Sequence, residues 1–257
     1  MIEGRIEQDL FLEWMGWLKI NHPKHSFMFD GIVCQDEWEK TDKHILLLLK
    51  DYNEKNGAIS LDKIDIRAPK GLFDLREHLI YRIGPKNKKN WKVWDNAARW
   101  VYGLSKLTID GFLPFEKADS QGDCYHRSSN LKKVAVVDVK KKPGTSSCNK
   151  SKLQRYFLEY PQSIEYTARQ IRLYGHLDFI LCCGDGVFDI CKKILKADAL
   201  KSQYEIVEKT DDYVITSYGT IVINYIHPLI LRGTSKKNAY NNLMKLAHKL
   251  LKKIHDA

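Results

Sequence analysis

Four short runs of uninterrupted apolar residues stand out from an otherwise polar chain: Ile45 to Leu49, Val134 to Val137, Phe179 to Cys183 and Ile221 to Ile226. Runs of this length without alternation suit strands buried on both faces, as in a parallel sheet covered by helices. Between the runs the apolar positions change to helical spacing. Ile164, Ala168, Ile171 and Leu173 precede the third run, and Val187, Ile190, Cys191 and Ile194 follow it. Tyr240, Leu243, Met244, Ala247, Leu250, Leu251 and Ile254 predict a final amphipathic helix whose other face is rich in lysine. Phe11 to Leu18 and Trp91 to Leu104 predict two more helices. The alternation predicts an α/β fold, a three-layer α/β/α sandwich around a central, mainly parallel four-stranded sheet. One domain is expected over residues 1–257, with 54–130 forming an elaborated crossover between the first and second core strands.

Composition narrows the class of partner. The chain of 257 residues is 44% hydrophobic, enough for a substantial core, and its 42 Lys+Arg against 32 Asp+Glu give a net charge of +10. That balance points to an anionic partner, nucleic acid before a membrane surface. No apolar stretch has the length of a spanning helix and the N-terminus is charged, so a soluble, cytoplasmic protein is expected, and a monomer is expected besides. The six cysteines (Cys34, Cys124, Cys148, Cys182, Cys183 and Cys191) form no C-x-x-C pair and read as reduced, mostly buried thiols, with no metal or other cofactor implied. Ile2-Glu3-Gly4-Arg5 spells a protease-recognition sequence of the kind fused to recombinant proteins, so residues 1–5 carry no weight in the argument.

The polar residues at the ends of the four runs carry the candidate chemistry. The first run ends in Lys50-Asp51-Tyr52-Asn53 and the second in Asp138, followed by Lys140-Lys141-Lys142-Pro143-Gly144-Thr145-Ser146-Ser147. The third ends in Gly184-Asp185-Gly186 and the fourth in His227-Pro228-Leu229-Ile230-Leu231-Arg232-Gly233. Parallel strands bring all four ends to one edge, which is where open α/β sheets gather ligands. Pro228 stops the ladder at the histidine. Small residues beside Lys140 and Lys142 allow backbone N–H groups to approach a phosphate, and the segment from Arg232 through Ser235 and Lys236 offers the same contact.

In order and spacing these strand ends resemble the uracil-DNA glycosylase superfamily. Its sheet presents an acid or amide after the first strand, a base-reading amide on the second, a Gly-Ser type turn after the third and a His-Pro loop after the fourth. The resemblance spans residues 40–250 in outline, and its most specific piece is His227 to Gly233. It implies a DNA glycosylase in which Asp51 positions water and supports the oxocarbenium-like sugar, while His227 holds the base O2 as charge develops there. Leu231 matches the wedge that fills the gap left by an extruded nucleotide, with Arg232 beside it for phosphate contact. Gly184 and Asp185 match the turn that pinches the DNA backbone, and Phe73 of Gly71-Leu72-Phe73 aligns with the ring that stacks on the base.

Departures from the family pattern bear on specificity. The family's reference branch has a glycine two residues before its acid and proline-tyrosine after it, the tyrosine walling off base C5. Here Tyr52-Asn53 occupy those positions, which removes the wall. Asp138 replaces the base-reading amide, and an ionised carboxylate only accepts hydrogen bonds. It therefore suits the cytosine N4 amine better than the uracil O4, with Asn53 as a second base-reading candidate. A cytosine reader with room at C5 is similar to the anti-phage subgroup of this superfamily, the bacteriophage replication inhibition DNA glycosylases, which excise glucosylated hydroxymethylcytosine. The expected activity is monofunctional hydrolysis of an N-glycosidic bond in DNA. Three alternatives stay open: repair of uracil or mismatched bases, a non-catalytic DNA-binding module of the same fold, and a nucleotide or nucleoside hydrolase working on free small molecules. Each residue also has a plainer reading, Asp51 as a turn cap, Asp138 as an ion-pair partner of the adjacent lysines, and Gly184 to Gly186 as an ordinary strand-to-helix turn.

Overall fold

A computed structural model describes residues 5–50, 59–83, 91–143, 148–229 and 234–256. Nine strands are described: β1 (Met28–Phe29), β2 (Gly31–Ile32), β3 (Ile45–Leu49), β4 (Phe73–Asp74), β5 (Ala135–Asp138), β6 (Phe179–Cys183), β7 (Ile206–Lys209), β8 (Tyr213–Thr216) and β9 (Ile221–Tyr225). The longer helices are α1 (Gln8–Asn21), α2 (Lys92–Ser105), α3 (Lys150–Glu159), α4 (Gln162–Arg172), α5 (Val187–Leu195) and α6 (Lys236–His255).

The main sheet runs β2-β5-β3-β6-β9-β8-β7. Its centre, β5-β3-β6-β9, is parallel and consists of the four strands that the apolar runs predict. The expected four-stranded sheet is nevertheless too small, because antiparallel strands extend it to seven. β2 is two residues long, too short for a pattern to register, and β7 alternates half-buried with exposed positions at the edge. The pair β1-β4 forms a separate two-stranded parallel sheet.

Successive residues of the central strands face opposite layers, as the pleat requires. Leu46, Leu48, Val137, Ile180, Cys182 and Val222 pack with Phe11, Trp14 and Leu18 of α1 and with the inner faces of α3, α4 and α5. Leu47, Leu49, Val136, Leu181, Cys183 and Ile223 pack against Trp94, Ala98 and Val101 of α2 and Tyr240, Leu243 and Ala247 of α6. Helices on both faces of a mainly parallel sheet make the three layers. Of the six thiols, Cys182, Cys183 and Cys191 are buried and the other three half-buried, and no disulfide links described residues. No described helix is long and apolar enough to cross a membrane.

Candidate functional site

The four parallel strands end at one level. Leu49 of β3 pairs with Asp138 of β5, and Cys183 of β6 with Tyr225 of β9. The pairing continues past the strands: Lys140 N–H donates to the Lys50 carbonyl at 3.1 Å, and Gly184 N–H to that of Tyr225 at 2.7 Å. The edge therefore carries Lys50, Asp138, Lys140, Gly184 and His227 on adjoining strand exits.

His227 is half-buried, and its Nδ1 accepts a hydrogen bond from the Leu229 N–H at 3.2 Å. An accepting Nδ1 puts the ring proton of a neutral imidazole on Nε2, which makes Nε2 a donor. The loop is pinned from below. Asn96 Nδ2 of α2 donates to the carbonyl of the buried Pro228 at 2.7 Å, and Arg99 donates to Asn96 Oδ1 at 2.9 Å. Before the loop, Tyr225 stacks edge-on against Trp100 at 5.1 Å and its hydroxyl bonds the Ala239 carbonyl.

Asp138 is 1% exposed, and its backbone N–H donates to Asp30 Oδ2 at 2.8 Å. Asp30, fully buried, also accepts from Lys141 Nζ at 2.6 Å and from Gln170 Nε2 at 2.8 Å. Lys141 is fully buried too, its ammonium 5.5 Å from the Trp14 ring and 5.9 Å from that of Phe11. Burial lowers its pKa, an effect that Asp30 opposes. The lysine run is thus not one solvated cluster. Lys141 anchors the segment while Lys140 and Lys142, both half-buried, flank it.

Gly184 is buried with φ +102°, a conformation that L side chains rarely adopt. A Cβ there would stand 3.2 Å from Lys50 Cε and 3.4 Å from His227 Cβ. Gly184→Ala should leave the fold standing at a cost of about 1–3 kcal/mol of backbone strain. It should also displace both side chains, read as a lower melting temperature together with a shifted His227 ring resonance in NMR spectra. Asp185 is exposed, and Gly186, φ +82°, precedes α5 with the Lys150 stem against it.

The remaining predicted residues divide. Phe73 lies on β4, its ring 5.8 Å from His78, and pairs with Met28, whose N–H donates to the Lys141 carbonyl at 3.1 Å. Ser235 caps α6 by accepting from the Asn238 N–H, and Lys236 forms an ion pair with Asp119 at 2.8 Å. Asp51, Tyr52, Asn53, Gly144, Thr145, Ser146, Leu231 and Arg232 lie outside the described residues. Sequence reasoning does not reach Asn96 or Asp30, and it notes Lys50 at its strand end without giving it a role. A signal existed for Asp30, an acid set between the apolar triplets Phe27-Met28-Phe29 and Gly31-Ile32-Val33.

His25 adds a titrating group near this edge. It is 2% exposed, packed edge-on to Tyr160 at 4.7 Å. Burial first, then the Lys142 charge, push its pKa down to about 3. An unfolded chain protonates this ring near its ordinary value of about 6.5. Its stabilising contribution is therefore complete above that pH and is lost as pH falls towards 3. By pH 5 it should have cost about 2 kcal/mol of folding free energy, read as a lower urea midpoint, and His25→Phe should flatten that slope.

No protein-family model, curated protein or solved structure matches the chain.

Proposed function

We propose that the chain is a DNA glycosylase. It accepts a base extruded from DNA and hydrolyses the N-glycosidic bond, leaving an abasic site. The preferred substrate is a C5-modified cytosine, glucosylated hydroxymethylcytosine of phage DNA in particular. The observation that carries this reading is His227, standing at a parallel strand exit with Nδ1 accepting from the Leu229 N–H, so that a neutral ring carries its proton on Nε2. That donor suits the base O2, where negative charge collects as the bond breaks. The buried Asp138 carboxylate, at the exit of β5 on the same edge with β3 and β6 between it and the His227 loop, accepts from the cytosine N4 amine. Asp51, directly after Lys50, orients the attacking water and supports the sugar cation. Leu231 wedges the duplex, and Lys140, Lys142 and Arg232 hold phosphates, in keeping with a net charge of +10.

The test is incubation with matched DNA strands carrying uracil, a G·T mismatch, cytosine, hydroxymethylcytosine or glucosylated hydroxymethylcytosine, followed by alkaline cleavage of abasic sites. Cleavage confined to the glucosylated strand and lost in Asp51→Ala supports the proposal. Cleavage at uracil assigns repair instead. No cleavage of any strand, with salt-sensitive binding retained, leaves a binding module.

A further inference from the structure

Lys50 is the residue at the strand-exit edge that neither the charge pattern nor the resemblance assigns. It directly follows β3, and its side chain crosses the space that the missing Gly184 Cβ leaves open. Its Cε lies 3.2 Å from that point, and His227 Cβ and Cδ2 lie 3.4 and 3.5 Å from it. The end of the Lys50 stem and the imidazole therefore both border the Gly184 backbone where β3, β6 and β9 exit. Nζ donates to the Cys148 carbonyl at 3.2 Å, and among the described residues no carboxylate pairs with it. An ammonium has three protons and no lone pair, so one bond to a neutral carbonyl leaves two donors for a ligand. The gap is kept by a residue with no side chain in a left-handed conformation, which any other L residue would both strain and fill.

We propose that Lys50 is a second leaving-group catalyst, donating a hydrogen bond to the base O2 together with His227. This inference rests on the glycosylase reading above. When the C1′–N1 bond breaks, its electron pair goes to the base, water oxygen joins C1′, and the proton released from water ends on the departing base. Cytosine lacks the second ring carbonyl over which uracil spreads that charge, so its anion is the poorer leaving group. A neutral imidazole supplies one hydrogen bond to it. A cation beside the imidazole supplies the electrostatic stabilisation that the cytosine anion needs, in a gap partly withdrawn from water where such a charge is more effective. Lys50 donates and does not attack carbon, so no covalent intermediate forms.

The experiment compares wild type, Lys50→Met and Lys50→Ala under single-turnover conditions on whichever strand the wild type cleaves. Alongside, each protein's affinity is measured for DNA carrying a tetrahydrofuran abasic analogue, which has the phosphates but no base. The proposal expects excision to slow by about 100-fold in both variants. Affinity for the abasic strand should stay within about threefold, and added propylamine should restore part of the rate to Lys50→Ala. A rate close to wild type overturns the proposal. So does abasic-strand affinity falling in step with the rate, which would make Lys50 a phosphate ligand or a packing residue. Excision by none of the proteins, wild type included, overturns the glycosylase reading and this inference with it.

Discussion

If the chain is the glycosylase proposed above, replacing His227 by alanine should slow base excision by about 10²–10³-fold while leaving DNA affinity nearly unchanged. The asymmetry follows from where the ring sits. Its Nδ1 is already engaged by the Leu229 N–H at 3.2 Å, so the ring is oriented before any substrate arrives. Pre-orientation matters because a donor that must first turn towards the oxyanion loses part of its advantage in reorganisation. The loop itself is held by Asn96 of α2, whose amide bonds the Pro228 carbonyl at 2.7 Å. His227→Ala removes the donor and keeps this scaffold, so the melting temperature should hardly move. Single-turnover excision and equilibrium binding to abasic-site DNA separate the two effects. An equal loss in both would mean that His227 is a DNA contact and carries no leaving-group role.

The sequence makes the fold's centre legible for a simple reason. Strands buried on both faces have no freedom to be polar, so Ile45 to Leu49 and Phe179 to Cys183 announce themselves and match β3 and β6 to the residue. Helices against the sheet are nearly as readable, since Val187, Ile190, Cys191 and Ile194 repeat on one face. The sheet's margins are less so. β7, with Val207 62% exposed and Glu208 beside it, lacks the burial that forces a pattern. At the site, sequence order locates strand exits but not what each side chain does there. Lys140, Lys141 and Lys142 look alike in sequence, yet the fold buries the middle one completely. The difference comes from Asp30, more than a hundred residues away, and no local pattern encodes that encounter. Asn96 is invisible for the same reason, a polar residue whose partner is a backbone carbonyl on a distant loop.

The buried Asp30–Lys141 pair should give the largest stability effects in the molecule. Both side chains are withdrawn from water, so removing either partner leaves an uncompensated charge and should cost about 3–5 kcal/mol. For a domain of this size that corresponds to a fall of about 10 °C in melting temperature. In Lys141→Met the Asp30 carboxylate keeps the Asp138 N–H and the Gln170 amide, whereas in Asp30→Asn the ammonium faces the rings of Trp14 and Phe11 with its main counter-charge gone. The double variant Asp30→Asn, Lys141→Met should recover most of the loss, because a neutral amide still accepts from Asp138 N–H and methionine fills the space of the lysine stem. That recovery, measured as a double-mutant cycle, isolates the pair from the packing around it. Additive losses in the double variant would mean that packing dominates, and single variants melting with the wild type would mean the charges are not paired in solution. On the glycosylase proposal the cycle also bears on function. Asp30 fixes the backbone of Asp138 and the lysine between Lys140 and Lys142, so a stable double variant with weakened base discrimination would tie recognition to the geometry of this one buried carboxylate.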